Sequence, residues 1–255
     1  MYSQSTLTNY AENVYFVLVE TKYPGNIGLS ARAIKNFGFK KLVLIKPLTE
    51  IGEQAIRRAM RARDVLIGAK IYETLDEFIN SEKIDFLLGT TAKVGSEKNP
   101  LRIAIPIDSL RGAILPQNSR IAILFGNEER GLSNRDLEKC DLVITVPTSP
   151  AYPSLNLSHA VAICAYELSL LAKTFRELPY RPATHLEREI LTRNVLLLLD
   201  MVSEKLPEPK EEIYRRILIN FARRAFLTGR EAHSLIGFTK MIIKKLQKSS
   251  SCSQY

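Results

Sequence analysis

Between residues 14 and 147 the chain alternates between two hydrophobic periodicities. Runs rich in β-branched residues lie at 14–20, 42–46, 84–90, 121–126 and 142–146. They are continuously apolar, which predicts strands buried on both faces. The stretches between them, 26–37, 53–63, 75–80, 108–115 and 133–139, carry apolar residues at helical spacing. Strands alternating with helices predict an α/β fold with a mostly parallel sheet. After the last run comes a loop with three prolines, Pro147, Pro150 and Pro153, and then a helix of almost unbroken small and apolar residues up to Leu171. Each proline fixes its own φ and restricts the residue before it, so the loop is held close to one shape. The helix has too little polar surface to face water and must be buried against something. A rigid polar loop at the mouth of such a helix points to a ligand site beside a subunit contact.

Past a segment with two prolines at 175–184 the pattern is wholly helical, with helices at 184–205, 210–227 and 229–246. Pro207 and Pro209 separate the first two, and Thr228-Gly229 the last two. The predicted plan is an α/β domain at 1–172 and a small all-α extension at 173–255, with a disordered tail from 248.

Composition changes this picture little. With 45% apolar and 25% charged residues, the 255-residue chain fits an ordinary globular protein. No apolar run approaches the roughly 20 residues that span a membrane. The first residues lack the basic-then-apolar order of a secretory signal. The cysteines, Cys140, Cys164 and Cys252, are scattered and form no C-x-x-C pair, so a cytoplasmic location is expected. Charge says more. Residues 1–171 hold 20 Lys/Arg against 18 Asp/Glu, whereas 172–255 hold 16 against 9. The excess sits in the helical extension, as in segments that attract phosphate backbones; a solvated lysine-rich surface is the plainer alternative.

The chain has no G-x-G-x-x-G after a strand, no G-x-x-x-x-G-K-[ST] and no G-x-S-x-G, so dinucleotide, P-loop and serine-elbow chemistries find no support. Three other stretches stand out. In P-G-N-I-G-L-S-A-R (24–32), Asn26 is placed to cap a helix, and Gly28 and Arg32 share a face that leaves room for a substrate beside the guanidinium. An ordinary cap with a surface arginine reads the same way. In L-F-G-N-E-E-R-G-L (124–132), glycines end a buried strand where parallel sheets bind ligands, and Glu128 either anchors the loop or meets the ligand. A plain turn before a helix capped by Ser133 and Asp136 fits equally. In the proline loop, Tyr152, Ser154 and Asn156 alternate with Pro153 and Leu155; this too suits a simple helix cap.

Taken in order, N-x-G-x-x-x-R, G-N-E-x-x-G and P-x-Y-P-S-L-N-L-S-x-A resemble the three motifs of the SPOUT RNA methyltransferases, most closely their 2′-O-ribose branch. The helical extension makes the layout similar to that of the TrmJ-type tRNA 2′-O-methyltransferases, which act on position 32 of the anticodon loop, on cytidine and in some relatives uridine. The resemblance covers residues 14–172. It implies a parallel-sheet SPOUT fold with a deep C-terminal trefoil knot, a rare exception to the unknotted rule. It also implies S-adenosylmethionine as methyl donor, no metal, a tRNA partner, no membrane, and a homodimer through the first- and third-motif helices. Residue by residue, Thr90, Thr91, Ala92, Gly126, Glu128, Val146, Ser154, Leu155 and Asn156 match donor-binding positions. Arg32, Ser154 and Tyr152 match catalytic ones, and Asn26, Arg32, Lys93 and Arg130 lie toward the substrate. The resemblance is to archaeal-like members, and it has one departure: bacterial relatives often carry arginine where this chain has Lys93, which keeps the charge but loses the bidentate fork. A non-catalytic RNA-binding protein, and an enzyme acting on ribosomal RNA or on a base atom, are the rival readings.

Overall fold

Each central strand splits its side chains between two apolar layers. In β1 (Val14–Val19), Val14, Phe16 and Leu18 enter one layer, and Tyr15, Val17 and Val19 the other. The computed structural model describes residues 10–95, 102–112, 119–174, 180–203, 208–225 and 227–252. The chain divides into two compact units, 1–177 and 178–255.

The first unit runs β1, α1 (Pro24–Asn36), β2 (Lys41–Ile45), α2 (Glu53–Ala59), α3 (Arg63–Ile67), β3 (Lys70–Tyr72), α4 (Leu75–Glu82), β4 (Phe86–Thr90), β5 (Ile105–Pro106), β6 (Ile121–Phe125), α5 (Asn134–Lys139), β7 (Leu142–Thr145) and α6 (Leu157–Thr174). The strands form one seven-stranded sheet, ordered β3-β2-β1-β6-β4-β7-β5, with every pairing parallel. Side chains of α1, α2, α3 and α6 cover one face, and those of α4 and α5 the other. Burial on both sides is why the central strands β1 and β6 are apolar throughout.

Several sequence expectations change. The helix expected at 53–63 breaks at Met60, whose φ of 53° lies in the left-handed region; a 3₁₀ turn (Met60–Ala62) separates α2 from α3. The helix expected at 108–115 is a 3₁₀ turn (Ile107–Gly112), and 113–115 lie outside the described residues. Strands β3 and β5 were not expected. Asn26 does not cap α1. Tyr23 holds the cap position, Pro24 opens the helix in its favoured place, and Asn26 is one turn inside. Gly28 leaves no room for a substrate: a Cβ there would sit 2.1 Å from the carbonyl oxygen of Ala55, so the space is taken by the close crossing of α2 over α1.

The second unit holds α7 (His185–Val202), α8 (Glu208–Arg224) and α9 (Gly229–Cys252). Thr184 and Glu187 form a capping box on α7, and Arg181 grips Glu187 through both guanidinium nitrogens at 2.8 and 2.7 Å. α9 continues to Cys252 instead of ending at 246, because no glycine or proline interrupts it after Gly237. Residues 204–205 and 226 of the expected helices, 175–179 of the boundary and 253–255 of the tail lie outside the described residues.

Candidate active site

Strands β6, β4 and β7 are neighbours and end on the same side, where parallel sheets place their ligand sites. Their three following loops enclose a cavity. Thr90, Thr91, Ala92 and Lys93 line it after β4, the whole run from Gly126 to Leu132 after β6, and Val146, Pro153, Ser154 and Leu155 after β7. Phe125, Leu157, Ala160 and Cys164 also contribute to the wall. Burial pushes the Cys164 thiol up, so it stays protonated and acts as apolar wall.

Each loop is fixed by short-range chemistry. The Thr90 hydroxyl donates to the Leu124 carbonyl at 2.8 Å, and the Thr91 amide extends the ladder to the Ile144 carbonyl at 3.0 Å. Thr91 is buried, and its hydroxyl bonds to the Lys93 main chain. In the loop after β6, the buried Asn127 side chain accepts from the Glu129 and Arg130 amides and donates to the Glu20 carbonyl at 2.7 Å. A short polar side chain that organises a turn in this way is the usual use of asparagine there. Gly131 closes the turn at φ +70°. In the proline loop, the Thr148 hydroxyl donates to the Pro153 carbonyl at 2.9 Å, adding a tie to the rigidity the prolines supply.

One carboxylate joins the first motif to the second. Glu128 accepts from the Thr21 hydroxyl at 2.9 Å, the Lys22 amide at 3.0 Å, the Tyr23 amide at 3.4 Å and the Asn26 side-chain amide at 2.9 Å. Asn26 in turn accepts from the Asn156 side chain at 3.1 Å, which brings in the third motif. Asn156 is also the cap of α6, since its side-chain oxygen accepts from the Ser158 amide and hydroxyl. All three motifs are thus one hydrogen-bonded chain. Partial burial pushes the Glu128 pKa up, but the bonds from Asn26, Lys22 and Thr21 outweigh it, and the group titrates below the ordinary carboxylate value.

A group held below its unfolded value contributes stability that is complete above that value and disappears as pH falls through the folded one. Glu128→Gln is therefore expected to cost about 2 kcal/mol at pH 7, because it places an amide donor among donors. The gap to wild type should narrow once pH drops below about 4.3, the ordinary glutamate pKa. Denaturant titrations of both proteins at pH 7 and pH 3 check this; a gap independent of pH would remove the carboxylate charge from the explanation.

Of the positions singled out in the sequence, Thr90, Thr91, Ala92, Lys93, Gly126, Glu128, Arg130, Val146, Ser154 and Leu155 all line the cavity. Asn26 and Asn156 stand behind it in the hydrogen-bonded chain. Tyr152 is 79% exposed and does not line it. Arg32 does not line it either: its side chain is exposed on α1 and has no hydrogen-bond or ion-pair partner among the described residues. Two residues that build the cavity have no place among the sequence expectations. Asn127 shapes the second loop. Arg102 lines the cavity and clamps two of its loops together, donating to the Thr91 hydroxyl at 3.2 Å, the Leu132 carbonyl at 3.1 Å and Asn134 at 3.2 Å. An arginine between apolar residues in L-R-I was the only available signal for it.

A parallel sheet with a cavity built from its C-terminal loops and from the first residues of a long apolar helix places the chain among the α/β proteins that bind a ligand at the carboxyl ends of their strands. The chain belongs to the SpoU rRNA Methylase family, whose pattern matches residues 13–166. It is 38% identical over 226 residues to the tRNA (cytidine-2′-O-)-methyltransferase TrmJ of Methanocaldococcus jannaschii, covering 88% of this chain and 97% of that protein. The crystal structure of TrmJ from Z. mobilis ZM4 superposes with a TM-score of 0.69 at 28% identity, covering 89% of this chain and 98% of the other. The SpoU methyltransferase AviRb from Streptomyces viridochromogenes, solved with the cofactor AdoMet, shares the fold at a TM-score of 0.51 and 20% identity, over 65% of this chain and 60% of that one.

Proposed function

We propose that the protein transfers a methyl group from S-adenosylmethionine to a ribose 2′-hydroxyl of tRNA, at cytidine 32 of the anticodon loop, and that it does so in the cytoplasm as a homodimer. The observation that carries this reading is the single cavity formed by the three motif loops and tied together through Glu128, Asn26 and Asn156. Its residues suit the donor. Leu132, Val146, Leu155 and Leu157 offer apolar surface for a flat adenine, while Lys93, Glu129, Arg130 and Ser154 offer polar groups for the rest. The insertion of β6 between β1 and β4 supports the threaded C-terminal half that the family resemblance implies.

When bound, the sulfonium donor supplies an electrophilic methyl group. The chain's contribution is position and charge. Fixed loops hold the reactants in line, which removes much of the entropic barrier. Arg32 acts electrostatically, its guanidinium holding phosphate and favouring the alkoxide that develops on the ribose oxygen. Since Arg32 does not line the cavity of its own chain, the dimer reading lets it serve the partner's cavity. The outer face of α6 supports that contact: Tyr166 is 46% exposed and packs on Phe37 of the first-motif segment at 5.7 Å, beside partly buried Ile163 and Leu170.

The second unit is read as the tRNA grip. Arg215 and Arg216 are held in ion pairs with Asp200, Glu211 and Glu212, but Lys240, Lys244 and Lys248 are exposed at four-residue spacing along α9 and have no partner among the described residues. Both apolar layers of the sheet come from the first unit alone, so a chain ending at Glu177 should fold. It is expected to bind S-adenosylmethionine as the full protein does and tRNA at least about tenfold more weakly, with a shallower salt dependence. Calorimetry and filter binding measure the two; equal tRNA affinity would refute the grip.

The function itself is tested by mass spectrometry of nucleosides from tRNA incubated with protein and donor. 2′-O-methylcytidine at position 32 is the expected product. Methyluridine there would widen the nucleotide choice, a product only in ribosomal RNA would move the substrate, and no product with intact tRNA binding would favour a non-catalytic binder.

A further inference from the structure

The segment from Arg57 to Arg63, I-R-R-A-M-R-A-R with its preceding Ile56, places four arginines within seven residues: Arg57, Arg58, Arg61 and Arg63. All four side chains are exposed, and none has a hydrogen-bond or ion-pair partner among the described residues. The adjacent acid Asp64 is already taken: the Lys35 ammonium bonds to both its carboxylate oxygens at 2.7 Å. In the rest of the first unit several lysines are paired with acids, as Lys22 is with Glu129, Lys40 with Glu12 and Lys139 with Asp76. Four unpaired guanidinium groups in one short segment repel one another and gain nothing from the fold. Their apolar neighbours Met60 (59% exposed) and Ile67 (82% exposed) are also left in water.

The backbone fixes where this charge lies. Ala55 and Ala59 pack directly on Gly28, and one turn or so further along, the Arg61 carbonyl accepts from Lys35 at 3.0 Å. The segment therefore runs beside α1 from Gly28 to Lys35, a rise of about 10 Å along the helix axis. Arg32 lies between those two points. The left-handed Met60 breaks the helix within the segment, so the arginines on its two sides do not fall on one continuous helical face. Asn26, two residues before Gly28 on the same helix, is bonded to Glu128 of the cavity.

We infer that Arg57, Arg58, Arg61 and Arg63 form a phosphate-binding ledge that holds the RNA backbone flanking the nucleotide presented to Arg32. This rests on the proposed RNA-methylating function. Guanidinium groups suit it, because each presents a planar fork of donors to a phosphate and is weakly hydrated. The ledge is a contact in the first unit, separate from the lysine stripe of α9.

The test uses the full-length protein with all four arginines replaced by alanine, and a second variant with all four replaced by lysine. The side chains are free of partners and alanine favours helix, so the fold is expected to persist; circular dichroism and donor binding by calorimetry verify that. For the alanine variant the expected result is tRNA binding weakened at least about tenfold and a log–log salt slope reduced by about 2 to 3, as losing three or four phosphate contacts implies. The rise should appear in KM for tRNA, with turnover at saturating tRNA changed little. The lysine variant should recover part of the affinity. Unchanged tRNA affinity and salt slope in the alanine variant would overturn the ledge, as would a loss confined to anionic lipid vesicles, which would assign the arginines to a membrane surface. If the wild-type protein itself neither binds nor methylates RNA, the functional reading fails first, and the two failures are distinguishable.

Discussion

Gly126→Ala is expected to destabilise the first unit by at least about 4 kcal/mol, at the extreme of what single substitutions do. The added Cβ would lie 2.0 Å from the Gly131 carbonyl carbon, 2.0 Å from the Leu132 amide nitrogen and 2.5 Å from the Gly131 oxygen. All three are backbone atoms, so no side chain can rotate away. The loop after β6 would have to leave its place, and with it would go the Asn127 turn, the Glu128 bonds and the cavity wall. Gly131→Ala is the informative contrast. Nothing lies within 4 Å of a Cβ there, but φ is +70°, so only torsional strain is added, about 1–2 kcal/mol. Thermal unfolding of both variants, with and without donor, gives the comparison. A Gly126→Ala protein as stable as Gly131→Ala would mean that the close backbone crossing does not constrain the site.

That contrast also bears on what the sequence reveals. Gly126 and Gly131 were readable as the glycines of a strand end, and the continuous apolar runs located β1, β2, β4, β6 and β7. Burial on both faces leaves no alternation to misread. The two strands that went unseen are the ones this rule does not reach: β3 has exposed residues at Lys70 and Ile71, and β5 is two residues long. The break at Met60 went unseen because its residue type gives no sign of a positive φ; a glycine there would have. Ser133 was read correctly as a cap, since its partner Asp136 is three residues away and the box is local. Asn26 was misread as a cap, since its partners Glu128 and Asn156 are more than a hundred residues away and only the fold brings them together. The same limit hid Arg102, whose partners Leu132 and Asn134 lie about thirty residues on. Gly28 shows a subtler failure. Its smallness was recognised, but the space it leaves is filled by α2, and nothing local distinguishes a vacancy for a substrate from a vacancy for another helix.

On the proposed reading, Arg32→Ala lowers turnover at least about 10²-fold, the usual effect of removing a group that meets developing charge. Donor affinity should stay within about twofold of wild type, because Arg32 is not part of the cavity wall. Arg32→Lys should fall between, retaining charge but losing the fork. Such a split between turnover and donor binding separates a catalytic role from a merely structural one. Which subunit's cavity Arg32 serves in the proposed homodimer is decided by mixing variants. A mixed dimer of one Arg32→Ala subunit and one Glu128→Gln subunit has two arrangements to distinguish. If Arg32 works across the contact, the intact cavity of the first subunit receives the intact arginine of the second, and one competent site reappears. If Arg32 serves its own chain, every site lacks one element and mixing adds nothing to the activity of the separate variants. Methylation above the sum of the two variants alone is the expected outcome of mixing, measured as methyl transfer to tRNA. No gain on mixing, with mixed dimers shown by native mass spectrometry, would place the arginine and the cavity it serves in the same chain.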